Sequence, residues 1–571
     1  MHVEIIDSMN ALRRVRENWD RVYADDPEAQ YFLSFTWIVN WFELGGRWLV
    51  LAAKADPESG DYVAFFPVRL STVLGEDAHF RNSIRMGGSF YGGYTGFICE
   101  PQHAVAAVRA FGQKLLTLNW AELRLDDVFA SEPRLNALLE CFDRPELILE
   151  KSERPRHVTE FGDEINHDVY IYVRLGAEWE EFLDNRLGSK TRYNARKFLR
   201  QVDAGGDYRV TIADADTIDR DLETFLRLWA DRWEAHNPRY ANFIVPNTRH
   251  MIRRCFDDGA IFMPVLWQGD EIVGAHILLA DRQKGRLIGF LGGRDRSVKR
   301  PPPGFVLHLI AIRWGIANGF SVYDLGTGDF SYKYKLGAEE HLIERRLVRT
   351  RTGRNLHGEL DGRALPVAIR EVLRCFDARH YARAEQGCQK ILDFDPNNAK
   401  AKEILDQTKR ATASVSATLA EAVKLHKGKH LAEAGRLYKD VLAHDADNFD
   451  ARHLLGTTLL ESGNAKAAEA HIRRALQLRP TSAPAFNNLG GVLQALGRLP
   501  EALDSYEQAL RVRPDYAQAL NNRGNVLVRM GKLREAIDSF EKAIAIAPDF
   551  AKAIANRDNV RQLMKANQQA E

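Results

Sequence analysis

Cysteine is scarce in this chain: five among 571 residues (Cys99, Cys141, Cys255, Cys375 and Cys388), none in a C-x-x-C pair. So sparse and odd a set excludes a disulfide framework and a zinc ribbon. Cys255, in the run RHMIRRCFDDG, reads as a small buried residue, and no chemistry is assigned to cysteine. Long hydrophobic runs are also missing. No stretch of about 18 uninterrupted apolar residues occurs, which excludes a membrane-spanning helix. The opening residues, MHVEIIDSMNALRRVRENWD, carry acids and arginines where a signal peptide needs an apolar core, so the expected location is the cytoplasm. There is no excess of one charge: 79 Lys plus Arg face 78 Asp plus Glu, a net +1. Such a balance gives no global field to steer the chain onto DNA or anionic lipid. No group of His, Asp or Glu stands at metal-ligand spacing, so no metal is expected. What remains, 45% hydrophobic and 27% charged, is ordinary globular material. At roughly 100–200 residues per domain, the length predicts three or four domains.

From about residue 365 the composition turns to Ala, Leu, Asn and charged residues, and an internal period appears. Pro480, Pro514 and Pro548 recur at a step of 34, as do Gly456, Gly490 and Gly524, and Ala468, Ala502 and Ala536. Small residues at fixed places let two antiparallel helices approach closely, and a proline ends the second helix because it cannot continue the ladder. Several positions holding phase together make this segment resemble the tetratricopeptide repeat, an all-α solenoid. The resemblance predicts units at 365–398, 415–448, 449–482, 483–516 and 517–550, with 551–571 as a polar capping helix. Residues 399–414 break the phase and are expected to form a single extra helix. Asn488, Asn522 and Asn556 share the 34-residue step in first helices, which line the concave face in this family. Their amides suit sequence-tolerant binding of a peptide or protein backbone; packing and capping of neighbouring helices is the competing expectation.

The first 360 residues read differently. Ile261–Trp267 and Ile272–Ala280 are strand-like around a Gln268-Gly269-Asp270 turn, and Arg286–Gly293 is a third strand. Gly304–Gly319 is apolar nearly all round, a buried helix closed by Gly319. Ser321–Leu325 and Leu342–Thr350 are expected as the fourth and fifth strands of the same mixed α/β sheet. Residues 1–160 show a similar alternation, with WLVLAAK, YVAFFPVRL, a helix near 103–118 and AELRLDD.

That order resembles the GNAT acyltransferase fold. The stretch SVKRPPPGFVLHLIAIRWGIANGFSVYDLGTGDFSYKYKLG is similar to the CelD-type branch, with its Pro-Gly helix start, aspartate strand, Gly-x-Gly-Asp turn and Tyr-Lys pair. Upstream, FLRLWADRWEAH (Phe225–His236) and SKTRYNARKFLRQV (Ser189–Val202) match the same branch. The resemblance implies an α/β region of two tandem GNAT-like halves, 1–160 and 161–360, followed by the repeats from 365. Such paired halves are typical of this branch and of its Fem-type relatives.

The resemblance further implies an acyl-CoA co-substrate, acetyl-CoA or another, with its pyrophosphate at the start of the central helix, where unpaired N–H groups and the helix dipole favour anions. The usual glycine-rich cradle is replaced here by Pro301, Pro302 and Pro303, which have no N–H. The donors expected are therefore Gly304, Phe305, Val306 and Leu307, with Arg300 and Lys299 supplying charge. Acyl transfer needs a group to take or orient the attacking proton and a donor for the departing thiolate. Asp329 is the expected base or amine-orienting group, Asp324 its brace or substitute, and Tyr332 the acid. Lys333, Arg232 and Trp233 are the expected substrate contacts. His308 and His276 are expected to be packed core histidines.

Gly87-Gly88 and Gly92-Gly93 lack a Walker lysine and suggest a loop near the cleft. Arg186, Lys190, Arg192, Arg196, Lys197 and Arg200 form a basic run, expected to be a solvated face or a guide for an acidic ligand. Three functions stay open on this reading. The first is an acyl-CoA-dependent N- or O-acyltransferase acting on a sugar, polysaccharide precursor or similar small molecule, with repeats that recruit a protein partner. The others are a scaffold whose GNAT-like half has lost catalysis and a Fem-type transferase that uses aminoacyl-tRNA.

Overall fold

The computed structural model describes residues 1–58, 60–88, 93–158, 163–234, 238–295, 297–298 and 300–570. In chain order the first nine strands are β1 (His2–Ile6), β2 (Arg47–Lys54), β3 (Ala64–Leu74), β4 (Phe80–Met86), β5 (Ile98–Cys99), β6 (Glu122–Val128), β7 (Leu147–Lys151), β8 (His157–Val158) and β9 (Glu164–Ile165). The rest are β10 (Val169–Arg174), β11 (Tyr208–Ile212), β12 (Ile261–Phe262), β13 (Pro264–Gln268), β14 (Glu271–Asp281), β15 (Arg286–Arg294), β16 (Val322–Thr327), β17 (Glu339–Leu342) and β18 (Glu344–Thr350).

Two eight-stranded sheets repeat one plan. In the first, β1 to β4 are antiparallel neighbours, and β4 then pairs in parallel with β6 across the helix Ala104–Leu115. In the second, β11, β13, β14 and β15 are antiparallel neighbours, and β15 pairs in parallel with β16 across the helix Pro303–Ala317. That helix is apolar on nearly every face because sheet and helices cover it, with Val306, Leu307, Leu309, Ala311 and Ile312 fully buried. Gly319, at φ +76°, closes it: its N–H reaches the Ile316 carbonyl and that of Phe320 the Gly315 carbonyl.

Beyond this point one strand, β18, crosses from the second half of the α/β region into the first sheet. β10 lies between β16 and β17, whereas β18 lies between β6 and β7. The expectation of one fifth strand over 342–350 in the second sheet is therefore corrected. Leu342 ends β17 in the second sheet, and Glu344–Thr350 belongs to the first. An ion pair accompanies the pairing with β6: Arg345 Nη2 lies 2.8 Å from Asp126 Oδ1. The sheets thus do not coincide with the sequence halves divided at residue 160.

Residues 1–75 and 79–364 form one compact unit, and the helical array from Leu365 belongs to a second. Helix pairs Phe449–Glu461 with Ala465–Leu478, Ala483–Ala495 with Leu499–Val512, and Ala517–Arg529 with Leu533–Ile546 follow the 34-residue step. The glycine of each pair is required by close approach. A Cβ on Gly456 would stand 2.4 Å from Ile472, on Gly490 2.6 Å from Tyr506, and on Gly524 2.4 Å from Phe540. Residues 399–414 do not form a helix of their own. They are the leading part of one 29-residue helix, Ala399–Lys427, whose trailing part pairs with Leu431–His444. No proline or glycine interrupts that segment, so helix propagation simply continues through it.

Candidate acyl-transfer site

β15 and β16 are registered only from Arg286–Val322 to Ile288–Asp324, yet β15 runs on to Arg294 and β16 to Thr327. The two parallel strands therefore part beyond Ile288, and the start of the helix Pro303–Ala317 follows β15. In its first turn Pro302 is the N-cap and Pro303 the first helical residue, so two of the usual four free donors are missing. The N–H of Val306 already donates to the Pro302 carbonyl at 3.1 Å. Val306 and Leu307 have fully buried side chains, so the unpaired amides of this turn fall to Gly304 and Phe305. A Cβ on Gly304 would stand 3.3 Å from Nη1 of Arg294, an exposed guanidinium at the end of β15. Arg300 is exposed, and its carbonyl accepts from Tyr208 Oη at 3.1 Å. Lys299 lies outside the described residues.

The glycine turn after β16 is held from within. Asp324 is buried; its carboxylate accepts from the Tyr94 hydroxyl and, at 2.7 Å, from the Gly326 amide. Burial raises its pKa, against the pull of these hydrogen bonds. Lys333 is buried as well, with Nζ donating to the carbonyls of Gly326 (3.0 Å) and Thr327 (2.6 Å). Burial pushes its pKa down to about 8, opposed by Asp324 and Asp329. It thus clamps the turn rather than presenting its ammonium outward. Asp329 is partly exposed and accepts from the Asn166 amide at 2.7 Å. The side chains of Arg232 and Trp233 lie outside the described residues, as does the loop 89–92 between the glycine pairs.

Sequence reasoning took the two histidines separately. The structure brings them together: their ring centroids are 4.6 Å apart at 67°. His308 Nδ1 lies 2.8 Å from the Tyr323 hydroxyl, and Tyr332, an exposed residue, stacks on His308 with centroids 5.7 Å apart. Burial draws His276 down to about 4, helped by Arg294. It holds His308 well below the usual histidine range, with His276, Lys333 and Arg294 acting in the same sense. Arg294 and Tyr94 were also missed. The one available signal for Arg294 is a cation at a strand end shortly before a helix start.

Elsewhere, three of the six residues of the basic run are paired with acids: Arg186 with Glu339, Arg192 with Asp184, and Arg196 with Glu180 and Asp184. In the repeats, each asparagine amide reaches back to the preceding first helix. Asn488 donates to His453 and Thr457, Asn522 to Asn487, and Asn556 to Asn521 and Asn525. All three asparagines remain partly exposed.

Residues 189–334 match the family model of the acetyltransferase (GNAT) domain, a span that contains the parted strands and the helix start. Residues 425–491 and 481–549 match tetratricopeptide repeat models. No curated protein matches the chain. Among solved structures, YrrB, a tetratricopeptide repeat protein with an unusual peptide-binding site, is 22% identical over 34% of this chain and 90% of its own, with a TM-score of 0.23. MamA is 27% identical over 26% of this chain and 96% of its own, at a TM-score of 0.23. A mutant O-GlcNAc transferase of Thermobaculum terrenum is 30% identical over 24% of this chain and 26% of its own, also at 0.23. The chain therefore carries a GNAT-type acetyltransferase domain over residues 189–334 and tetratricopeptide repeats in its C-terminal part.

Proposed function

We propose that the chain is an acyl-CoA-dependent acyltransferase of the CelD-type branch, working in the cytoplasm and using acetyl-CoA. Its acceptor is an amine or hydroxyl of a sugar, a polysaccharide precursor or a similar small molecule. One observation carries the reading: β15 parts from β16 beside a helix start whose two free amides, Gly304 and Phe305, lie with the Arg294 guanidinium. Two N–H donors, a helix dipole and a cation suit a pyrophosphate. The parted strands leave backbone groups of β15 available to an extended thioester arm. Asp329 orients the acceptor, and Tyr332 hands its hydroxyl proton to the departing thiolate. The repeats recruit a protein partner. The asparagine ladder contributes its remaining carbonyl lone pairs to that contact, since its amide hydrogens are largely used between repeats.

Calorimetric titration of the full chain with acetyl-CoA tests this. Saturable binding in the parent, weakened about tenfold or more by Gly304→Asp, is expected, because the new carboxylate would stand against Arg294 and repel phosphate. An inactive scaffold is the second reading, favoured by Pro302 and Pro303 removing two donors from the cradle. It predicts no binding in either protein. With Arg186, Arg192 and Arg196 engaged by acids, the basic run gives no support to the aminoacyl-tRNA alternative.

A further inference from the structure

The His276–His308 pair has no part in the roles assigned above, yet four elements are arranged around it. His276, mid-strand on β14, is registered opposite Gly292 of β15, and its ring occupies the space a side chain there would fill. A Cβ on Gly292 would stand 3.2 Å from both Cδ2 and Nε2 of His276. His308 lies one turn after Gly304, on the same face of the helix. From β16, the Tyr323 hydroxyl holds Nδ1 of His308. From the short helix Ser331–Tyr334, Tyr332 covers the ring on its open side. His308 is partly exposed, and Tyr332 stacks on its ring.

We propose that His308 is the base that takes the proton from the attacking acceptor, with His276 and Tyr323 as positioning residues that fix its ring. The inference rests on the acyl-CoA reading above. In this role Nδ1–H of His308 donates to the Tyr323 oxygen, the tautomer that leaves Nε2 bare. Nε2 takes a proton from the acceptor amine as that nitrogen bonds to the acyl carbon. The C–S bond then breaks with its electron pair going to sulfur. Tyr332 protonates the thiolate and recovers its proton from solvent, to which His308 returns the proton it took.

The groups facing His308 are His276 from β14, Arg294 from β15, Tyr323 from β16, and Tyr332 and Lys333 from the short helix. The cations among them and the burial of the ring disfavour imidazolium, so the base form persists below the ordinary histidine range near about 6.5.

Bromoacetyl-CoA tests the placement without knowledge of the acceptor. A bare Nε2 beside the acyl group attacks the bromomethyl carbon, forming an N–C bond and releasing bromide. Peptide mass spectrometry of the labelled full chain is expected to place one adduct on His308, blocked by excess acetyl-CoA. His308→Gln should lose the adduct and keep acetyl-CoA binding. His276→Gln, which removes the ring packed against His308, should slow labelling at His308 while acetyl-CoA binding is kept. Acetyl-CoA binding with the adduct elsewhere, or with labelling unchanged in His308→Gln, overturns the assignment. So does a labelling rate that His276→Gln leaves unchanged. Failure of the parent to bind acetyl-CoA is a different result, and it removes the acyl-CoA reading itself.

Discussion

The hydroxyl of Tyr94, from the first half of the chain, donates to the buried carboxylate of Asp324, which also holds the Gly326 amide of the turn after β16. Tyr94 is itself packed among Phe32, Phe129 and Tyr170. A residue outside the matched GNAT segment thus supports a turn within it. Replacing Tyr94 by Phe leaves a buried carboxylate short of a donor, and about 1–3 kcal/mol of stability should be lost. Urea denaturation of the two proteins measures this. An unchanged midpoint would mean that the phenol is not what holds Asp324.

His276 makes the fold sensitive to acid. Its folded pKa lies at about 4, below the ordinary value of 6.5. Between those values the unfolded chain binds the proton and the folded chain does not, so stability falls as the pH drops through this window and is fully present above it. The contribution lost by the bottom of the window is about 3 kcal/mol. His276→Gln, which cannot titrate, should flatten the stability profile between pH 6.5 and 4. A profile as steep as the parent's would assign the acid sensitivity to other groups.

Adjacent glycines in the repeats should respond oppositely to the same substitution. Gly490→Ala forces a methyl to 2.6 Å from the Tyr506 ring, and overpacking of this kind costs about 1–3 kcal/mol. Gly491→Ala meets Leu460 at an ordinary 3.6 Å and should stabilise its helix by up to about 1 kcal/mol. Thermal unfolding followed by circular dichroism separates the two. Equal shifts would show that the repeat tolerates either methyl by moving its helices.

The helix pairs were legible because a 34-residue step repeats the same small residues, and a buried helix at 304–319 because apolar residues cover all its faces. The neighbour of each strand was not. An apolar run such as Ile272–Ala280 identifies a strand, but the ladder is made with backbone groups that every sequence shares. The candidate site was legible only in part for a similar reason. Gly304 announces itself beside three prolines, whereas Arg294 acquires meaning only when the end of β15 meets that turn. His276 and His308, 32 residues apart, each look like an isolated core histidine until β14 and the helix are laid together. The fused helix Ala399–Lys427 shows the opposite error, a broken repeat phase taken for a broken helix.

The crossing of β18 also bears on the order in which the chain can fold during synthesis. β6 and β7 have no partner for their facing edges until β18 arrives, and Arg345 finds Asp126 219 residues back along the chain. While the ribosome makes the intervening segment, the first sheet stands open with two unpaired edges, the kind of surface that recruits wrong partners. Its completion waits for residue 350 to emerge, by which time every strand of the second sheet has been made. The two sheets therefore close together, late in translation, and the repeats follow a finished α/β unit.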